Sequence, residues 1–152
     1  MTYITSEARQ DMLDDIGRAV DELAVALAEL GGAYEQLDEP TGDRLEELLF
    51  RPVQVAYGRA KRTYTSFGER YDLRTRALTP AEPGAPSHGV RVLVERALDA
   101  GLAAEEILTE IQDSMMPVEV GDQELRAGLA DVREHLGGLQ RGTQELLRTL
   151  GR

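Results

Sequence analysis

The sequence predicts an all-α protein in which four long helices form an up-down-up-down bundle. Apolar residues recur at alternating steps of three and four over four stretches of similar length, which is the spacing of one stripe along an α-helix. Short connections join the first two and the last two stretches, as in antiparallel helix pairs. The chain of 152 residues has the length of one domain, so we assign residues 1–152 to a single helical bundle.

The first predicted helix covers residues 5–37 and has the clearest pattern. Its apolar stripe has heptad spacing and consists of Leu13, Ile16, Val20, Leu23, Leu27, Leu30, Tyr34 and Leu37. We expect the helix to end before Pro40, because proline disfavours a helical conformation in the residue that precedes it.

The second predicted helix, residues 43–76, carries most of the aromatic side chains. Its stripe consists of Phe50, Val53, Tyr57, Ala60, Tyr64, Phe67 and Tyr71. Pro52 lies inside this stretch and removes the hydrogen bond to the carbonyl of Leu48. Because the stripe keeps its phase on both sides, we predict a helix that is kinked at Pro52 rather than two helices.

A proline-rich loop at 77–88 separates this helix from the third, which we predict over 88–116. Gly101 interrupts the third helix, which is either bent there or split into two helices. The fourth predicted helix covers 122–150, with Asp122 as its N-cap. Its stripe consists of Leu125, Leu129, Val132, Leu136, Leu139, Thr143, Leu146 and Leu150.

Small residues flank two of these stripes at heptad intervals. Gly17, Ala24 and Gly31 flank the first stripe, and Ala130 and Gly137 flank the fourth. An interior glycine costs a helix about 1 kcal/mol relative to alanine, and close packing of two backbones would offset that cost. The pattern therefore predicts that the first and fourth helices are antiparallel, closely packed neighbours.

Charge is unevenly distributed along an acidic chain with a net charge of −11. Residues 51–76 carry seven basic and two acidic side chains, whereas the segments on either side are acidic. We expect such a chain to repel nucleic acid, because phosphate binding is driven by cationic surface. The absence of cysteine excludes thiolate metal sites and cysteine nucleophiles. No stretch is apolar enough for a membrane span, so we expect a cytoplasmic protein without membrane contact.

The basic residues of the second helix form the main candidate binding site. On a helical wheel, four arginines fall in one arc opposite three tyrosines of the apolar stripe: Arg51, Arg59, Arg62 and Arg70, against Tyr57, Tyr64 and Tyr71. The arginines could bind an acidic protein or a phosphate-bearing ligand, and the tyrosine hydroxyls could line a slot for a small molecule. Alternatively, the arginines pair with neighbouring helices and the tyrosines are core residues. Aromatic and basic side chains on opposite faces argue against nucleic-acid binding.

His135 is a second candidate site, in the fourth predicted helix. Glycines lie one heptad before and after it, and the local sequence is His135-Leu136-Gly137-Gly138. A histidine among small residues on a four-helix bundle resembles the histidine phosphotransfer domains, which pass a phosphoryl group to a docking partner. In that family leucine follows two positions after the histidine and lysine comes next; here leucine follows at once and lysine is missing. The resemblance implies phosphotransfer at His135.

Residues 97–108 look like the helical hairpin in the cap modules of cobalamin-binding proteins. Those caps precede a sheet-containing domain with the motif D-x-H-x-x-G, which this chain lacks. No site residue is therefore assigned from this resemblance.

Other catalytic and metal sites lack support in the sequence. Val132 and Ala85 occupy the positions three before the two histidines, so the Glu-x-x-His pairs of bundle metal sites are absent. None of the serines lies in a glycine-flanked nucleophile elbow. We expect no metal, no cofactor and no catalytic residues.

The sequence thus favours a non-enzymatic bundle that acts by binding a protein partner or a second copy of itself. The alternatives are a bundle that binds a small molecule or anion near the second helix, and a phosphotransfer-like module using His135.

Overall fold

A computed structural model describes residues 2–83 and 88–151, with the side chains of 5–83 and 88–151. The described residues form helices and connections without a strand, which confirms the all-α prediction. The helices are α1 (Thr2–Tyr34), α2 (Glu39–Leu45), a π-helical turn (Glu46–Phe50), α3 (Arg51–Arg70), α4 (Val90–Asp113), α5 (Met116–Glu119), α6 (Gln123–Leu136) and α7 (Leu139–Leu150). None of these helices is long and apolar enough to cross a membrane.

Contacts along α1 show that α3 runs antiparallel to it. The side chain of Leu13 lies beside Gly68 near one end of the pair, and the ring of Tyr34 lies beside Gly42 near the other. The continuous run from α2 through the π turn to α3 therefore returns along α1.

Contacts on another side of α1 show that α4 also runs antiparallel to it. Gly32 lies against Leu93 near the start of α4, whereas Met12 and Ile111 line a common groove near its end. Because α3 and α4 both oppose α1, they are parallel to each other.

The observed order is therefore up-down-down-up, and the predicted up-down-up-down order is wrong. Helix α6 runs antiparallel to α3, because Arg70 and Arg59 of α3 contact Asp122 and Asp131 in that order. Helix α7 runs antiparallel to α4, because Leu139 lies against Gly101 and the Leu147 carbonyl contacts Arg91 near the start of α4.

The described parts of the connection, 71–83 and 88–89, contact α1 near its two ends, so the connection crosses from one end of the bundle to the other. Near its start, the Gln10 side chain accepts a hydrogen bond from the Arg74 backbone N–H and donates one to the Arg74 carbonyl, both at 2.9 Å. Near its end, Gln36 donates to the carbonyl of His88 at 2.9 Å. Extended chain covers about 3.3 Å per residue, so a segment of this length can either close a turn or span a helix. Residues 84–87 of the predicted loop lie outside the described residues.

The most extensive helix contact is between α1 and α4, and both helices carry several buried alanines. They are Ala19, Ala26 and Ala33 on α1 and Ala97, Ala100 and Ala104 on α4. Small side chains allow two helix backbones to approach closely.

The predicted close packing of the first and fourth helices is wrong. Contact between α1 and either α6 or α7 is slight, since these helices lie diagonally across the bundle. A Cβ atom at Gly31 would meet nothing within 4 Å, and Gly17 faces the side chains of Tyr64 and Arg76. The most extensive contact of α1 is instead with α4.

At Pro52 the helix continues through a local irregularity. The backbone N–H of Arg51 donates to the carbonyl of Glu46, five residues earlier, which is the hydrogen bond of a π helix. A wider turn of this kind accommodates a residue that disturbs the regular hydrogen-bond pattern. The helical run is therefore continuous through Pro52, and the irregularity that the sequence places there takes the form of a π turn.

The helix break that the sequence suggested at Gly101 is not observed, and a break occurs elsewhere in the chain. Helix α4 passes through Gly101 without interruption, whereas the predicted fourth helix is divided at Gly137 and Gly138 into α6 and α7. A Cβ atom at Gly101 would overlap the side chain of Leu139. The glycine therefore lets the first residue of α7 pack against the α4 backbone.

Several predicted helix ends differ from the observed ones. The second helical run begins at Glu39, because Asp38 caps it and accepts a hydrogen bond from the N–H of Thr41 at 3.0 Å. Helix α3 ends at Arg70, before Asp72 with a left-handed φ of 51°, and α4 ends before Met115 with φ of 65°. Asp122 is confirmed as the N-cap of α6, where it accepts from the N–H of Leu125.

Candidate functional site

A surface groove of about 530 Å³ runs along α3 beside the start of α6. Its lining residues are Arg59, Lys61, Arg62, Thr63, Thr65, Ser66, Glu69, Arg70 and Glu124. We call it the basic groove, because four of these side chains are cationic and two are acidic. It unites three of the four predicted arginines.

Arg70 lies at one end of the basic groove and is fixed by α6. Its Nε and Nη2 atoms donate to the two carboxylate oxygens of Asp122 at 2.7 and 2.8 Å. Its Nη1 atom donates to the Ser66 hydroxyl at 2.6 Å and lies 2.9 Å from a Glu124 oxygen. The hydrogen bonds to Asp122 raise the pKa of Arg70 above its usual value. A guanidinium held in this way keeps a fixed orientation.

Asp122 connects the basic groove to the N-terminal end of α6. Burial alone would raise the pKa of Asp122, but hydrogen bonds from Arg70, the Leu125 N–H and the Tyr71 hydroxyl outweigh burial and lower it. The same carboxylate therefore caps α6, holds Arg70 and accepts from Tyr71 at 3.0 Å.

Arg59 is anchored by α6 about two and a half turns after Asp122. Its Nε atom donates to a carboxylate oxygen of Asp131 at 3.0 Å. The hydroxyl of the buried Thr63 is directed away from solvent, since it donates to the Arg59 carbonyl at 2.8 Å. The interpretation that the arginines pair with a neighbouring helix therefore holds for Arg59 and Arg70.

Lys61 and Arg62 differ from the two anchored arginines. Among the described residues, neither makes an ion pair. The Nζ atom of Lys61 lies 5.2 Å from the centre of the Tyr57 ring, and Arg62 is exposed beside Gly58. Sequence reasoning missed Lys61, although its place next to Arg62 in the basic segment was a usable signal.

Arg51 lies outside the basic groove. It is exposed, and its closest acidic neighbour is Glu46 at 3.8 Å. The helical wheel placed it in the same arc as the other arginines but ignored the rise of about 1.5 Å per residue, which separates it from Arg59 along the axis.

The three tyrosines do not form a common slot among the described residues. Tyr64 is buried, and its hydroxyl accepts from the backbone N–H of Arg76 at 3.0 Å. Tyr71 contacts Asp122 through its hydroxyl, and the guanidinium of Arg9 stacks 3.9 Å above its ring. The hydroxyl of Tyr57 is buried without a hydrogen-bond partner. Each tyrosine therefore belongs to a different local contact.

His135 is half-buried on α6, one turn after Asp131. Its Nδ1 atom lies 2.8 Å from the Asp131 carbonyl oxygen and 3.6 Å from a carboxylate oxygen of the same residue. A carbonyl oxygen can only accept, so Nδ1 carries the hydrogen in this contact and Nε2 of the neutral ring has the free lone pair. Asp131 thus binds both Arg59 and His135.

The described part of the chain contains no group of three or more acidic or histidine side chains arranged to hold a metal ion. Comparisons with protein-family models, curated proteins and solved structures found no match.

Proposed function

We propose that this protein is a non-enzymatic bundle that binds an acidic segment of a partner protein in the basic groove. The observation that carries the proposal is that Lys61 and Arg62 have no acidic partner among the described side chains, although the chain has a net charge of −11. Carboxylates are abundant on this protein, yet none of the described ones pairs with these two cations. The two cations are therefore available to the carboxylates of another molecule.

The anchored arginines support the same proposal. Arg59 and Arg70 are held by Asp131 and Asp122, so they lose little side-chain freedom when a ligand arrives. The negative surface elsewhere repels an acidic segment, which favours approach at this groove. Self-association receives less support, because the leucine, isoleucine and valine side chains of the apolar stripes are buried or partly buried within the single chain.

A synthetic hexaglutamate peptide tests the proposal by isothermal titration calorimetry at low ionic strength. We expect saturable binding that weakens as salt is added, because exposed charges are screened. The double variant Lys61→Ala/Arg62→Ala should bind the peptide at least about tenfold more weakly, through loss of two charge-assisted contacts. The matched control is Arg141→Ala/Arg148→Ala on α7, which removes the same charge outside the groove.

Three results would overturn this proposal. The unmodified protein could fail to bind the peptide, or both double variants could weaken it equally, which would indicate only net charge. Inorganic phosphate could bind more tightly than the peptide, which would favour a small-anion site.

A second candidate is phosphotransfer at His135, favoured by the Nδ1 contact that leaves the Nε2 lone pair free. With phosphoramidate as donor, Nε2 would form a bond to phosphorus while ammonia leaves. Acid-labile phosphate on the protein, absent from His135→Gln, would support this candidate, and its absence from the unmodified protein would eliminate it.

A further inference from the structure

A second groove lies between α1 and α4, on the opposite side of the bundle from the basic groove. It has a volume of about 380 Å³, and its lining residues are Glu22, Val25, Glu29, Arg96, Asp99 and Ala100. We call it the acidic groove, since its lining contains three carboxylates and one guanidinium. Two apolar side chains complete its wall.

Glu29 is the unusual residue of the acidic groove. It is 7% exposed, and its Oε2 atom is buried without a hydrogen-bond partner in the described structure. No described cation lies within ion-pair distance of it, and Arg96 instead contacts Nδ1 of His88 at 3.3 Å. Burying an unpaired carboxylate is strongly unfavourable, so an acceptor of this kind calls for a donor that the chain itself does not supply.

The position of Glu29 in a helix contact makes the burial of its side chain more informative. It lies on α1 between the buried Ala26 and Ala33, against the helix that α1 contacts most extensively. An apolar side chain at this position would avoid the desolvation of a charge. The site therefore tolerates a cost that a purely structural interface would not need.

We propose that the acidic groove binds an alkylammonium group, with Glu29 as the acceptor beneath it. An ammonium ion carries three N–H donors, which can satisfy Glu29 together with the carboxylates of Glu22 or Asp99. Val25 and Ala100 offer apolar contact to the attached methylene groups. A metal ion does not fit, because no three carboxylates of the described chain converge on one point. The ammonium group could belong to a free amine or to a lysine side chain.

Methyl-detected NMR titration with n-butylammonium chloride tests this inference, with n-butanol as the uncharged control ligand. We expect saturable shifts of the Val25 and Ala100 methyl signals with the amine only. Glu29→Gln should weaken binding at least about tenfold, because a charge-assisted hydrogen bond is lost. Glu106→Gln, on an exposed position of α4 outside the groove, is the matched control and should bind as the unmodified protein does.

A second variant keeps the test decisive if Glu29→Gln folds poorly. Glu22→Gln, on a partly exposed position, should weaken binding severalfold and leave the fold unchanged.

A parallel titration with the peptide Gly-Gly-Lys-Gly-Gly identifies the source of the ammonium group. Tighter binding than butylammonium indicates a partner's lysine, and weaker binding indicates a free amine. Absence of saturable shifts with both ligands, equal shifts with butanol, or unchanged affinity in Glu29→Gln would overturn the inference. The basic groove takes no part in this test, so its own proposal stands or falls separately.

Discussion

Asp122 illustrates how much one residue contributes to the candidate site. Its carboxylate accepts hydrogen bonds from Arg70, from the hydroxyl of Tyr71 and from the N–H of Leu125. The sequence predicted the last of these, because aspartate before a helical stretch is a strong N-cap signal. The other two come from α3 and the residue after it, and only the packing of α3 against α6 brings them close. Local signals therefore reveal the cap but not the ion pair.

The lowered pKa of Asp122 predicts how stability changes with pH. Its contribution is fully present above the unfolded value of 3.8 and is lost as pH falls from there through the lower folded pKa. Asp122→Asn should therefore destabilise the protein by about 1 kcal/mol at neutral pH and by much less near pH 2. Urea unfolding at several pH values measures the difference. Asp113→Asn, at an exposed position, serves as control, and a constant deficit for Asp122→Asn at all pH values would contradict the assignment.

At the scale of helices, apolar periodicity predicted which segments are helical but not which glycines lie at close helix contacts. Gly31 was assigned to a close helix contact on heptad spacing alone, and it faces open space. Gly101 and Gly142 do lie at close approaches, against Leu139 and the carbonyl of Leu48. Glycine spacing within one helix does not show which helix it faces, so the distinction requires the packed structure. Similarly, Pro40 lies in the first turn of a helix, a position that proline favours, although we interpreted it as a stop signal.

Two glycine-to-alanine substitutions should have opposite effects on stability. A Cβ atom at Gly142 would lie 2.9 Å from the Leu48 carbonyl oxygen, which belongs to the backbone and cannot rotate away. Gly142→Ala should destabilise the protein by about 1–3 kcal/mol. Gly31→Ala adds a methyl group in open space within α1 and should stabilise by up to about 1 kcal/mol. Urea unfolding compares the two, and equal effects of both substitutions would disprove the described contacts.

At the scale of the whole molecule, the sequence predicted the helical content, whereas the helix order required the structure. Periodicity identifies buried faces, but an antiparallel and a parallel neighbour bury the same stripe. The choice depends on where the connection between α3 and α4 leaves and rejoins the bundle, and hydrogen bonds from Gln10 to Arg74 and from Gln36 to His88 place these two points at opposite ends of α1. Polar contacts between residues so distant in sequence leave no periodic signal. The basic groove depends on the same order, because it exists only where α6 lies beside α3.

The parallel arrangement of α3 and α4 predicts a long distance between the end of one helix and the start of the other. Spin labels at Glu69→Cys and Arg91→Cys, in a chain without native cysteine, lie near opposite ends of the bundle. Helix α3 has 20 residues and a rise of about 1.5 Å each, so double electron–electron resonance should give roughly 30 Å. The up-down-up-down order would place these labels near each other at one end. Labels at Asp14→Cys and Glu69→Cys provide the control, since α1 and α3 are antiparallel neighbours in both orders and their separation should stay short. A short distance for the first pair would disprove the crossover from one end of the bundle to the other.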